Sequence, residues 1–284
     1  MILIAESGST KTDWRLVNSD GKIANYETIG FNPFFISSAN IVAELEGSEL
    51  SKIKAQISQV FFYGAGCSSK ENIAIVYTAL GSYFTAAKVE VAHDMLAAAR
   101  ATCGYKKGMV AILGTGSNSC LYNGNVIVEN VSALGYILGD NGSGADIGKT
   151  FVKALLGGEL PKEIETKFKQ EYDLTTNSIL DKLYKQALPN RFLASFSLFV
   201  FKHIKDPFIN KMVAQRFELF FEKNICKYSD YQNNTLHLIG SVASVYQTTF
   251  KAVAEKYNVK VGKVIKAPIE ELVKYHLISP LEGR

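Results

Sequence analysis

Ala111-Ile112-Leu113-Gly114-Thr115-Gly116-Ser117-Asn118 lies near the middle of a chain of 284 residues. An apolar run, residues 109–113, feeds straight into a glycine-flanked threonine, and a second short strand is expected over 119–122. A buried strand that ends in Gly-Thr-Gly carries bare backbone N–H groups and one hydroxyl to the edge of a sheet. Those are donors suited to a phosphate, because glycine lets the chain approach closely and leaves a concave nest of amides. A plain Gly-rich hairpin reads the same way, so the stretch gains meaning only beside its counterpart at the N-terminus.

That counterpart is Ser7-Gly8-Ser9-Thr10, which interrupts a strand over 2–5 and a second over 12–17, where Asp13 and Arg15 alternate with Trp14 and Leu16. Asp20-Gly21 signals a tight turn into a third strand over 22–28. The spacing G-x-x-x-x-G-K-[ST] is absent, so neither turn is a Walker A loop. The same three-strand meander recurs over 109–113, 119–122 and 126–131, and each copy is followed by alternating helix and strand.

In the first half these are a helix over 37–55, a strand over 60–63 ending in Gly64-Ala65-Gly66, a helix from a Ser68 cap to about Phe84, a strand over 89–92 and an alanine-rich helix over 95–103. In the second half a loop over 139–144 enters a helix over 145–156. A helical insert follows (162–172, 178–186, 191–203), then a long helix from Asp206-Pro207 to about Tyr228. A strand over 236–239 ends in Gly240-Ser241, a helix runs to Tyr257, and a strand over 259–265 and a helix over 269–276 close the chain. The expected fold is α/β: two domains, 1–105 and 106–284, with a cleft between them for the active site and the last helix packing back on the first domain.

Composition narrows the function. Hydrophobic residues at 47% and charged residues at 20% describe a globular protein with a substantial core. A net charge of +4 is too mild to argue for nucleic acid or an anionic membrane. Met1-Ile2-Leu3-Ile4-Ala5 meets Glu6 with no basic segment before it, and the most apolar window, 192–201, is too short to span a bilayer. Cys67, Cys103, Cys120 and Cys226 are scattered without a Cys-x-x-Cys pair, which argues against zinc, iron–sulfur clusters and disulfides, and for a reducing cytoplasm.

Among single residues, Asp94 stands where a buried strand meets a helix, at the sheet edge where α/β ligands bind. Taken alone it reads more readily as a helix cap. Asp140, between glycines, reads as a turn residue, and His93 as packed or locally bonded.

Four segments in order, Ser7-Gly8-Ser9-Thr10-Lys11-Thr12, Gly114-Thr115-Gly116-Ser117-Asn118, Gly139-Asp140-Asn141-Gly142-Ser143 and Leu238-Ile239-Gly240-Ser241-Val242, resemble the two phosphate motifs, the connecting loop and the adenosine motif of the actin/hexokinase/Hsp70 ATPase superfamily. Within it the chain is most similar to the BadF/BadG-type ATPases, and specifically to N-acetylglucosamine kinases, from Ile2 to about His276. The resemblance implies two ribonuclease-H-like domains and transfer of phosphate from ATP-Mg²⁺ to a sugar hydroxyl. It implies that Gly8, Ser9, Thr10, Lys11, Gly114, Thr115, Gly116, Gly240 and Ser241 hold ATP. The sugar would meet Asn32, Asp94, Ser117, Asn118, Asp140 and, beside it, Ala133, Leu134 and Gly135, with Asp94 as catalytic base. Much of the superfamily has Asp at the end of the first strand; here Glu6 stands there, and the extra methylene implies contact with the metal through water. A homodimer is the assembly common among similar kinases.

Several functions share these motifs. Kinases of N-acetylmuramic acid or glucosamine would bind ATP alike. An activator of a 2-hydroxyacyl-CoA dehydratase would need two cysteines in the motif loops, and none is suitably placed. A non-catalytic sugar sensor would not need Asp94. A glucokinase of the repressor-related type would need a Cys-rich zinc loop, which is missing.

Overall fold

The structure, a computed structural model, describes residues 1–277; the end of the expected 106–284 segment lies outside the described residues. It divides into two compact units. The first takes in Met1–Lys106, Gly124–Val126 and, among the described residues, the last helix; the second takes in Lys107–Asn123 and Ile127–Ala267. Each has one five-stranded mixed sheet with flanking helices, the two-domain actin/hexokinase-like α/β fold expected from the sequence.

In the first unit β1 (Ile2–Ser7), β2 (Lys11–Val17) and β3 (Ile23–Ile29) form the antiparallel meander. After α1 (Ser38–Gly47), β4 (Gln59–Gly64) lies parallel to β1. After α2 (Lys70–Tyr83), β5 (Lys88–His93) lies parallel to β4 and runs directly into α3 (Asp94–Cys103). The sheet order is β3-β2-β1-β4-β5. Alternation decides which side chains are buried, because successive strand residues point to opposite faces. Leu3, Ala5, Trp14 and Leu16 enter the core with Phe31 and Phe62, while Glu6, Lys11, Asp13 and Arg15 occupy the other face. Trp14 is fully buried, and its Nε1–H donates to Thr28 Oγ1 at 2.9 Å, so its polar atom is satisfied inside the core.

The second unit repeats the pattern with β6 (Gly108–Leu113), β7 (Ser117–Tyr122) and β8 (Ile127–Val131) as the meander. The helices α4 (Gly135–Leu138), α5 (Gly144–Leu156), α6 (Lys162–Glu171), α7 (Thr176–Tyr184), α8 (Pro189–Lys202) and α9 (Pro207–Lys223) follow. Then come β9 (Leu236–Ile239), α10 (Ser241–Val245), α11 (Gln247–Lys256) and β10 (Val261–Ile265), in the sheet order β10-β9-β6-β7-β8. The last helix, α12 (Ile269–Leu277), belongs to the first unit and packs on α3, β1 and β2.

Three helices end where local sequence alone does not stop them. The helix expected over 37–55 stops at Gly47, because Ser48 is extended and its hydroxyl accepts from Leu50 N at 3.3 Å, starting a 3-10 turn that keeps Leu50 in the core. The helix expected to reach Tyr228 breaks at Asn224. Beyond the break Tyr228 is buried, its hydroxyl paired with Ser119 Oγ at 2.7 Å and accepting from Val131 N at 3.1 Å. The helix expected from Gly240 to Tyr257 divides at the buried Tyr246.

Phe62 lies 6.0 Å from Trp14 and 6.3 Å from Phe31, ring centre to ring centre, and is fully buried. Phe62→Ala should therefore cost about 3–5 kcal/mol of stability. Denaturant unfolding followed by the fluorescence of Trp14, the sole tryptophan, measures it directly.

Candidate active site

The β1–β2 turn is built from short-range bonds. Gly8 N donates to Lys11 O at 3.0 Å, and Gly30 N donates to Thr10 O at 3.0 Å, which ties the turn to the segment after β3. Behind it Ser7 Oγ accepts from Phe31 N at 2.9 Å and pairs with Thr12 Oγ1 at 2.8 Å. Ser9 and Thr10 remain exposed at the tip, and a groove of about 610 Å³ opens beside them toward Phe35, Ile36 and Asn40. Asn32 is buried, and its amide is engaged: Nδ2 donates to Ser9 Oγ at 2.7 Å and Oδ1 accepts from Phe34 N at 3.0 Å. Asn32 thus braces the phosphate turn, a role beyond the sugar contact expected of it.

On the outer face of the same sheet Glu6 is in register with Asp13, and Asp13 with Glu27. Lys11 Nζ reaches Asp13 at 3.0 Å and Glu27 at 3.3 Å, so its ammonium is held by strand carboxylates. Burial, helped by the charges of Asp13 and Asp94 and opposed by Lys11, pushes the Glu6 carboxyl up to about 7. Glu6, Asp13 and Asp94 therefore share a field that one lysine does not balance. Among the described residues no group of three or more His, Cys, Asp or Glu side chains is arranged to hold a metal ion.

Asp94 is the first residue of α3, but it is not the cap. His93 is: its Nδ1 accepts from Met95 N at 3.0 Å. This corrects the reading of Asp94 as a plain cap and bears out a locally bonded His93. The Asp94 side chain is about 30% exposed, and Oδ1, itself buried, has His93 Nδ1 2.9 Å away and no hydrogen-bond donor while that nitrogen serves Met95.

In the second unit the turn is tighter than expected, since β7 already begins at Ser117 and only Gly114, Thr115 and Gly116 lie between the strands. Gly144 N donates to Gly114 O at 2.8 Å and Ala145 N to Thr115 O at 3.1 Å, locking the start of α5 onto the turn. Asp140 completes the lock. It takes a left-handed conformation (φ 53°), and its Oδ1 accepts from Ser117 N at 3.1 Å. Ser117 Oγ donates to Asn141 O at 2.9 Å and is buried. A Cβ on Gly116 would lie 2.9 Å from the Asp140 carboxylate, so any side chain there must push that carboxylate aside. Asn118 Oδ1 accepts from Ser119 N and from Asn130 Nδ2, at 2.8 and 3.0 Å. At the end of β9, Gly240 (φ 119°) passes so close to the Leu113 carbonyl that a side chain is excluded, and Ser241 opens α10. Ala133, Leu134 and Gly135 are exposed on the approach to α4, joined to the loop through Leu134 against Gly139. A larger groove of about 730 Å³, beside Lys205, Lys211 and Thr249, holds none of the residues picked from the sequence.

Sequence reading missed Asp13, which counting outward from the turn would have paired with Glu6, and Asn130, whose cross-strand bond to Asn118 carries no local signal.

The chain is 42% identical, over 97% of its length and 98% of the other chain, to a candidate N-acetylglucosamine kinase from Porphyromonas gingivalis, with a TM-score of 0.91. A candidate N-acetylglucosamine kinase from Chromobacterium violaceum is 15% identical over 96% of this chain and 98% of its own, at a TM-score of 0.68. A ROK family glucokinase from Streptomyces griseus, solved with glucose and AMPPNP, is 12% identical over 96% and 97%, at 0.56. These last two share the fold. No family model matches the chain, and no curated protein does.

The raised Glu6 pKa has a thermodynamic sign. Stability that Glu6 allows below its unfolded value of 4.5 is lost as pH rises through about 7, because the folded chain resists the ionisation that the unfolded chain undergoes freely. Glu6→Gln should raise the thermal midpoint of the ligand-free protein at pH 8 and leave it nearly unchanged at pH 4. Equal midpoints at both values would contradict the buried acidic field.

Proposed function

The chain belongs to the family of the Porphyromonas protein, within the actin-like superfamily of sugar kinases, and on that premise we propose that it transfers the γ-phosphoryl group of ATP to the 6-hydroxyl of an N-acetylated hexosamine, N-acetylglucosamine first. It is an ATP-dependent sugar kinase. The observation that carries the finer reading is the 42% identity over nearly the full length of both chains. The four motif segments in their order favour the BadF/BadG type within the superfamily. Kinases of N-acetylmuramic acid or glucosamine are the neighbouring alternatives.

Phosphoryl transfer is largely a matter of positioning and charge neutralisation, so the protein must supply amide donors for phosphate, a counter-charge and a group to receive the proton of the attacking hydroxyl. The braced turns Gly8-Ser9-Thr10 and Gly114-Thr115-Gly116 present amides and hydroxyls for the phosphates. Gly240 and Ser241, held against the end of β6, suit the adenosine. Lys11, engaged by Asp13 and Glu27, acts on the phosphates only through its charge.

Among the described residues no carboxylates are grouped as a metal site, so the field of Glu6, Asp13 and Asp94 would only draw in a divalent cation that ATP itself carries. Mg²⁺ arriving with ATP would be met by Glu6 through water, and it would neutralise phosphate charge. Asp94, at the head of α3 with a partly exposed carboxylate, receives the proton of the sugar hydroxyl. Ser117 and Asp140 hold the connecting loop in shape for the acceptor, with Asn118 and the segment 133–135 nearby. No helix among the described residues is long and apolar enough to cross a membrane, in keeping with soluble substrates on both sides of the reaction.

Asp94→Asn keeps size and leaves the His93 cap in place, so the fold should survive. General base catalysis is typically worth about 10²- to 10⁴-fold. In a coupled ADP-release assay with N-acetylglucosamine, the variant should lose at least about a hundredfold in kcat with the KM for ATP nearly constant. A folded variant with most of the wild-type kcat removes Asp94 from the chemistry.

Gly116→Ala tests the second turn. Its Cβ must displace the Asp140 carboxylate, so the KM for ATP and for sugar should both rise, by roughly tenfold or more for the loss of one charge-assisted hydrogen bond. Unchanged KM values would show that the Ser117–Asp140 bond is dispensable.

A further inference from the structure

We propose that the groove between α5 and α9 of the second unit binds the phosphate group of a small molecule, and that its occupancy loosens the connecting loop at Gly142. The groove has a volume of about 500 Å³, enough for a small organic ligand. Lys153 of α5 and Lys211 and Arg216 of α9 line it, against one carboxylate, Glu159. Residues four apart share a helix face, so Phe208, Met212 and Arg216 form one stripe that gives the groove an apolar floor leading to a guanidinium.

These cations are not spent on the protein. Lys149, one turn before Lys153, gives its ammonium to the Tyr136 carbonyl at 2.8 Å. Lys153 and Lys211 form no ion pair and no side-chain hydrogen bond among the described residues, and Arg216 Nε is buried without a partner. An orphaned buried donor costs stability unless a ligand meets it. Lys153 stands in the last turn of α5, where a cation suits the helix dipole. Lys211 stands near the positive end of α9 and gains nothing from it. A phosphate monoester carries a charge of about −1.5 to −2 at pH 7, and it accepts the paired N–H groups of a guanidinium in a way that a lone carboxylate or chloride does not.

Arg216 joins the groove to the loop of the candidate site. Asp146 is 5% exposed, and its Oδ2 accepts from Gly142 N at 3.0 Å. Burial pushes the Asp146 carboxyl up, and the Gly142 bond and the charges of Arg216 and Lys149 oppose that rise. An anion in the groove makes a second claim on Arg216. The guanidinium turned toward it leaves Asp146 with less counter-charge, so Gly142 and the loop that carries Asp140 are held less firmly. Sugar should then bind more weakly. The binding stands on the groove alone; the effect on sugar rests on the proposed kinase reaction.

The full-length protein with carbon-13 methionine methyls supplies the binding test. Met212 lines the groove, and its signal among the four methionines is assigned by its loss in Met212→Leu. Titration with inorganic phosphate, and separately with N-acetylglucosamine 6-phosphate, should move that signal to a plateau at fixed ionic strength. Lys153 is exposed, so Lys153→Gln should fold normally, and it should raise the apparent Kd by about tenfold for the loss of one charge-assisted bond. Arg216→Lys, which keeps the charge and loses the fork, should raise it as well. Tighter binding of the ester names a phosphorylated sugar and equal binding names the free anion; either sustains the site. A Met212 signal that stays still, follows potassium chloride equally, or titrates alike in wild type and Lys153→Gln overturns it.

Kinetics tests the coupling. Without phosphate, Lys153→Gln should keep kcat and both KM values within about twofold of wild type. At the phosphate plateau the wild-type KM for N-acetylglucosamine should rise about fivefold or more above that of the variant. Competition by phosphate at the ATP site would slow both proteins alike, so equal sensitivity overturns the coupling. Failure to turn over N-acetylglucosamine would contradict the acceptor reading instead, and the comparison then uses the sugar that is phosphorylated.

Discussion

Parallel pairing of β4 with β1 and of β5 with β4, and of β9 with β6, is the constraint on which the site depends. Strands that run the same way deliver their C-terminal ends to one edge of a sheet, and the chain must leave that edge through turns whose amides have no ladder partner. In the first unit the edge collects the Gly8–Thr10 turn, Gly64 and Asp94; in the second it collects the Gly114–Gly116 turn and Gly240. The meander adds a second consequence. Antiparallel return of β2 sets Asp13 beside Glu6 on the outer face, so the charge of the site follows from strand register.

Most of what surrounds this edge serves to keep the turns rigid. Ser7, Thr12, Phe31 and Asn32 brace one from behind, and Ser117, Asp140, Gly144 and Ala145 brace the other. Several residues expected to touch ligand are thus already bonded to the protein. A kinase gains from that arrangement, because donors fixed before the phosphates arrive need not be reorganised during transfer. The proton transfer proposed above falls at the head of α3, where the partly exposed Asp94 carboxylate sits beside the His93 imidazole that caps the helix.

The fold was legible because its signals are local and repeated. Two small-residue turns follow apolar strands in two copies of the same meander, and glycines stand where backbones meet, as at Gly116 and Gly240. Helix ends were less legible. Gly47-Ser48, Asn224 and Tyr246 stop helices because Leu50, Tyr228 and Tyr246 must be buried, and burial is a tertiary demand. The cap of α3 was missed because histidine is an uncommon cap and Asp94, a common one, stands next to it. Asn32 and Asn118 each take one partner from far along the chain, 23 and 12 positions away, beyond the reach of any periodicity.

The proposed acceptor is an N-acetylated hexosamine. The most direct measurement is a one-pot competition in which equal amounts of N-acetylglucosamine, glucosamine and glucose meet limiting ATP, with the products resolved by mass spectrometry and the phosphate position read by phosphorus–proton NMR. The phosphate should go predominantly to the 6-oxygen of N-acetylglucosamine. Phosphate found chiefly on glucose, or shared evenly among the three sugars, would contradict it.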